Sequence, residues 1–129
     1  LRPNLHINDY CELVFELISA ESSKIKNEIF NVGYQNLSIN EISMIVKKVV
    51  EKEFPEKDEI KIVKTSSDDN RSYHINSDKI RDILGFVPKY SIEDAVKSLC
   101  DNFKNAKIIH SFKDDIYFNV NRLRRLQAK

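Results

Sequence analysis

Glycine is nearly missing from this sequence: only Gly33 and Gly85 occur among 129 residues. A loop that cradles phosphates needs several glycines close together, so that backbone amides at a helix N-terminus can reach the ligand. No such loop can be written anywhere in the chain. Cysteine is as scarce, and Cys11 and Cys100 lie in separate helical patterns. Two isolated cysteines predict reduced core thiols of a cytoplasmic protein rather than a disulfide framework. Long apolar runs are absent too, so nothing spans a membrane and no membrane partner is expected. Neither sign of charge dominates, with 21 basic side chains against 20 acidic ones. Global attraction to nucleic acid is therefore not expected. The chain opens Leu1-Arg2-Pro3, without methionine and without the hydrophobic region of a signal peptide. That opening predicts a fragment of something longer, although a processed chain would begin the same way.

What is present suits one domain. Hydrophobic residues make up 41% of the chain, ordinary for a globular protein, and this length buries about two-thirds of the unfolded surface. Asn8-Asp9 offers capping chemistry for a helix beginning near Tyr10, with Cys11, Val14, Phe15 and Ile18 as its buried stripe. Residues 21–27 read as a loop. Glu28-Ile29-Phe30-Asn31-Val32 is β-prone and ends at Gly33, which predicts a strand with a tight exit. Ser38 with Glu41 forms a capping box. Behind it Ile39, Ile42, Ile45, Val46, Val49 and Val50 predict an amphipathic core helix reaching about Glu53, closed by Pro55. Residues 60–64 alternate as a half-exposed strand should, and 65–70 is a polar loop. Ser77 caps a helix carrying Ile80, Ile83 and Leu84, with Gly85 as its left-handed stop. Ser91 with Asp94 starts another helix, carrying Ile92, Ala95, Val96, Leu99 and Phe103. Ile108-Ile109 is a short strand or a link. Asp114-Asp115 opens a last helix through Leu126 with a basic end that suits its dipole. The expected fold is a small, mixed α/β domain of four or five helices and two or three short strands.

Several of these segments resemble, in order, the extended short-chain dehydrogenase/reductases that act on nucleotide sugars. Arg2-Pro3-Asn4-Leu5-His6-Ile7-Asn8-Asp9 is similar to the family's Arg-x-x-Ile-His-Val-Asp-Asp element. Ile29-Phe30-Asn31-Val32-Gly33 looks like its Phe-Asn-Val-Gly strand, and residues 38–42 like the helix after it. Asp69 to Tyr73, Lys79-Ile80, Leu84-Gly85-Phe86-x-Pro88 and Ser91-Ile92-Glu93 resemble its closing signature. The likeness covers about residues 2 to 103. It implies the C-terminal substrate-binding lobe without its Rossmann domain, with residues 1–106 as the lobe and 107–129 as a link and basic helix packed on the same domain. It also implies that Arg2 and Arg71 approach the diphosphate of a nucleotide-diphosphate sugar, since guanidinium groups meet phosphate oxygens with paired donors at fixed charge. Where many relatives carry Arg-Pro-Gly, Thr65-Ser66-Ser67 stands here, so Arg71 works with less help or Lys64 substitutes.

The family's catalysis needs a tyrosine four residues before a lysine, so that the ammonium lowers the phenol pKa. Residues four past Tyr10, Tyr34, Tyr73, Tyr90 and Tyr117 are Val14, Ser38, Ser77, Asp94 and Asn121. The chain therefore carries no catalytic residue of that type. NAD(P) and hydride transfer are expected from the missing half of an NAD(P)-dependent epimerase or dehydratase. Other residues read more plainly. His6 is a structural hydrogen-bonding residue, His74 and His110 lack a second ligand at metal spacing, and Tyr73 and Tyr90 are packing residues with wet hydroxyls. Arg71 has the alternative of pairing with Asp68 or Asp69. The run Arg122-Leu123-Arg124-Arg125-Leu126 is a solvated face or a subunit contact before it is a nucleic-acid site. Against the fragment stand a stand-alone interaction or regulatory module derived from the lobe and, more remotely, a basic-tailed nucleic-acid accessory protein. A lone lobe either stays monomeric or forms a homodimer through an exposed apolar patch, and surface that normally meets the missing half should be uncovered.

Overall fold

The computed structural model describes residues 1–66 and 71–127. Helices dominate. In chain order the elements are β1 (Arg2–Asn4), α1 (Ile7–Ser19), α2 (Ser22–Ile25), β2 (Gln35–Leu37), α3 (Ile39–Glu53), α4 (Asp78–Leu84), α5 (Ile92–Lys104), a 3₁₀ turn (Asp115–Tyr117) and α6 (Asn119–Arg125). Among the described residues the sheet is one antiparallel pair, β1 with β2, in the register Arg2↔Leu37, Pro3↔Asn36 and Asn4↔Gln35. The domain is thus a small, mixed α/β fold. The chain forms two compact units, Leu1–Ser98 and Leu99–Lys129, with the boundary inside α5.

Helix boundaries follow local chemistry. The Ser38 amide and hydroxyl both donate to Glu41 Oε2 at 2.7 Å, while the Glu41 amide donates to Ser38 Oγ at 3.2 Å. This is the expected capping box. Pro55 stops α3 just beyond its C-cap, Phe54. Gly85 closes α4 at φ 75°, where a side chain would be strained, and its amide donates to the Arg81 carbonyl. Ser91 and Asp94 repeat the reciprocal cap at the start of α5, with the Ser91 hydroxyl donating to Asp94 at 2.6 Å.

Other expectations are corrected. Residues 28–32 form no strand. Phe30 and Val32 instead pack against the core, and a β-prone run without a ladder partner has nothing to pair with. Residues 60–64 form no strand either. Glu59 and Ile60 are held to α3 by polar clamps: Lys47 Nζ donates to Glu59 at 2.8 Å and to the Ile60 carbonyl at 2.6 Å, and Glu51 accepts the Ile60 amide at 2.9 Å. The 21–27 loop contains α2 and ends at Asn27 with φ 63°. Helix α1 starts earlier than expected and is capped by His6, whose Nδ1 accepts the Asn8 amide at 3.1 Å. Ser77 holds the N-cap position of α4 without a side-chain cap bond, because its hydroxyl is engaged elsewhere. The last helix is broken into the 3₁₀ turn and α6 at Phe118.

The core is small. Leu13, Ile80 and Phe86 are buried together, with Leu17, Phe30, Val32 and Leu84 half-buried against them. No residue of α3 is fully buried, so its stripe is a half-covered face. On α5, Val96 and Cys100 are buried while Leu99 and Phe103 are about half exposed. The largest correction concerns α1. Its buried residues are Asp9 and Leu13, whereas Cys11, Val14, Phe15 and Ile18 face solvent, Ile18 at 80% exposure. Both cysteines are free, with Cys100 in the interior and Cys11 on that open face.

Candidate functional site

The segment 71–77 has no regular secondary structure, yet alternate residues tie it to the sheet region. The Tyr73 amide donates to the Leu1 carbonyl at 3.0 Å. Asn36 then clasps the Ile75 backbone from both sides, its Nδ2 donating to the carbonyl and its Oδ1 accepting the amide, each at 2.9 Å. Ser77 does the same to Gly33, its hydroxyl donating to the carbonyl at 2.8 Å and accepting the amide at 2.9 Å. Three anchors at every second residue leave Ser72, His74 and Asn76 exposed.

This track sets the Arg2 side chain against the Arg71 backbone. Arg2, on β1, donates from its guanidinium to the Arg71 backbone carbonyl. Its Cζ also lies 5.8 Å from the Tyr73 ring centre, in a cation–π contact. Arg71 is exposed. The alternative pairing partners Asp68 and Asp69 lie outside the described residues. Lys64, the proposed substitute, is exposed in an irregular stretch. The result is a corner where the Arg2 guanidinium, the Arg71 backbone and the Tyr73 ring meet.

The remaining candidates take structural positions. His6 caps α1 and sets its ring against Tyr90, centroids 5.0 Å apart and tilted by 34°. Both line a mostly apolar concavity of about 200 Å³ with Leu5, Gln35, Ile42 and Ile92. Two shallower hollows of about 320 and 400 Å³ share Phe15 and Glu16 on the open face of α1. These three concavities are lined without Arg2 or Arg71. Among the described residues no group of three His, Cys, Asp or Glu side chains could hold a metal ion, and no helix is long and apolar enough to cross a membrane.

Asp9 escaped sequence reasoning. It is fully buried, and its two carboxylate oxygens accept the Lys89 amide at 2.9 Å and the Tyr90 amide at 3.1 Å. That pins α1 to the turn before α5. No spacing rule could have found partners 80 residues away. The carboxylates held below their ordinary range include Glu41, Asp78 and Asp94, chiefly through hydrogen bonds from Ser38, Asn76 and Ser91 respectively. They stabilise helix starts and lie outside the arginine corner. Comparison of the chain with family models, curated proteins and solved structures finds no match.

Proposed function

We propose that this chain is the substrate-binding lobe of an extended short-chain dehydrogenase/reductase, a cytoplasmic NAD(P)-dependent nucleotide-sugar epimerase or dehydratase whose Rossmann half lies outside it. The observation that carries the reading is the arginine corner: two cationic residues 69 positions apart in sequence meet through the bond from Arg2 to the Arg71 carbonyl. In this reading their guanidinium groups grip the diphosphate, and Tyr73 offers a surface beside it. The uncovered apolar face of α1 supports the same view, since surface meant for an absent domain is left bare in the isolated lobe.

The chain's own residues do not fit a dinucleotide cradle. A Cβ on Gly33 would meet Ile75 at 3.5 Å and Pro3 at 3.7 Å, ordinary packing distances, and Gly85 closes a helix rather than opening one. NAD(P) therefore belongs to the other half in this reading. The lobe's part is to bind and orient.

Calorimetric titration with UDP, dTDP, GDP and CDP sugars tests the proposal. One nucleotide class should bind, and Arg71→Ala should weaken it about tenfold or more, the loss of one charge-assisted contact. Absence of binding to this chain and to a longer one carrying the Rossmann half, or an affinity indifferent to Arg71→Ala, refutes the assignment. A second reading, a stand-alone interaction module derived from the lobe, also draws on the open α1 face. Such a module binds no nucleotide, so the same titration separates the two.

A further inference from the structure

The near-neutral total charge hides a segregation. Residues 99–129 carry seven basic against three acidic side chains, while the first 98 residues carry 14 against 17. The C-terminal segment is thus net +4 and the rest net −3, and the same segment exposes large apolar groups. Phe112 is 93% exposed, and Ile116, Val120, Leu123 and Leu126 are each more than half exposed.

Helix α6 sorts these side chains by side. At 3.6 residues per turn, Val120 and Leu123, with Leu126 at the C-cap, share an arc of about 120°, and Arg122, Arg124 and Arg125 occupy the remainder. Asp115 orients two of the arginines, pairing with Arg122 at 3.5 Å and Arg125 at 3.0 Å. Arg124 makes no ion pair among the described residues. A bare apolar stripe backed by arginines, with an exposed phenylalanine eight residues earlier in the sequence, has the make-up of an interfacial segment.

We propose that the segment from Phe112 through α6 binds the surface of an anionic lipid bilayer. Phe112 and the Val120, Leu123, Leu126 stripe enter the headgroup boundary, and the arginines meet lipid phosphates. A surface contact of this kind needs no spanning helix. Nucleic acid fits less well, because it would engage the arginines and leave the apolar stripe in water. The inference stands on residues 99–129 alone and is independent of the nucleotide-sugar reading.

Co-sedimentation of the full chain tests it, with vesicles of phosphatidylcholine alone or of equal parts phosphatidylcholine and phosphatidylglycerol. The chain should bind only the anionic vesicles and release as salt rises. Arg124→Glu should lower partitioning at least about fivefold, the weight of one basic residue near such a surface. Leu123→Ser and Phe112→Ser should each lower it by a similar factor through lost apolar insertion. Phe112 lies outside the helices and is almost fully exposed, so its variant tests insertion without threatening the fold. Equal binding to neutral vesicles, no binding to anionic ones, or indifference to Arg124→Glu overturns the proposal. So does binding of a single-stranded RNA that depends on Arg124 but not on Leu123, without any vesicle binding.

Discussion

Removing the Asp9 carboxylate should be one of the most damaging single changes in this chain. Asp9 is 0% exposed, and its two oxygens take the amides of Lys89 and Tyr90 at 2.9 and 3.1 Å. A hydrogen bond to a charged group contributes about 1.5–3 kcal/mol, and Asp9→Ala loses two while leaving two amides without their acceptor. The bonds share one carboxylate and do not add fully, so the expected loss is about 3 kcal/mol. Against a typical stability of about 5–15 kcal/mol that is a large fraction. In a domain of this size it corresponds to a fall in Tm of roughly 10 °C. Asp9→Asn keeps one acceptor oxygen but turns an NH₂ toward the other amide, so its loss should be smaller, about 2 kcal/mol. Glu12→Ala is the control. It removes only the exposed 2.8 Å pair with Lys89 and should leave the urea midpoint almost unchanged. Urea unfolding followed by circular dichroism reads all three, with the slope of the transition expected constant. A loss below about 1 kcal/mol for Asp9→Ala would refute the claim that this carboxylate fastens α1 to the 88–91 turn.

Three further outcomes follow from the same geometry. Gly85→Ala should cost about 1 kcal/mol in urea unfolding, because φ is 75° and nothing beyond its own chain neighbours lies within 4 Å of an added Cβ, so the penalty is backbone strain. Gly85→Asn should cost less. Ser38→Ala should lower stability by about 1 kcal/mol through loss of the cap to the Glu41 amide. It should also flatten the acid limb: Glu41 is held below 4.5 chiefly by the Ser38 hydroxyl. The unfolded chain therefore binds that proton more readily, and the contribution, present above pH 4.5, is lost as pH falls through the depressed folded value. Comparing urea midpoints near neutrality and in acid for both proteins checks the sign. The double substitution Phe15→Ser with Ile18→Ser should leave stability within about 0.5 kcal/mol, since both side chains already face water. If the unsubstituted chain dimerises in sedimentation velocity, the substitution should weaken that dimer, and a marked drop in stability would show that these residues are core after all.

Local chemistry was the legible part of this fold. The Ser38–Glu41 box, the Gly85 stop, the Pro55 break and the Ser91–Asp94 cap each involve residues within a few positions of one another, and each stands where the sequence puts it. Strands were not legible, because a strand is a relation between two segments. Residues 28–32 and 60–64 have the right composition without a ladder partner, whereas Arg2–Asn4 and Gln35–Leu37 pair despite little β-propensity. The candidate site divides the same way. The resemblance points to Arg2 and Arg71, but the clasps that hold residues 71–77 to the sheet region, Asn36 on Ile75 and Ser77 on Gly33, span 39 and 44 positions.

Helix α1 shows why periodicity alone could not choose its buried face. Two apolar sets coexist on it: Leu13 with Leu17, and Cys11 with Val14, Phe15 and Ile18. The second set is larger, so counting apolar residues favours it. The structure buries the first, and Asp9 lies on that side, one turn before Leu13. A carboxylate tolerates full burial only where donors meet it, and the donors here come from the Lys89–Tyr90 backbone. The orientation of α1 is thus tied to a polar contact 80 residues away, and the larger apolar set is left outward. That set is the surface on which the fragment reading and the stand-alone reading both draw, and the Phe15→Ser, Ile18→Ser protein reaches it without disturbing the Asp9 clasp that turned it there.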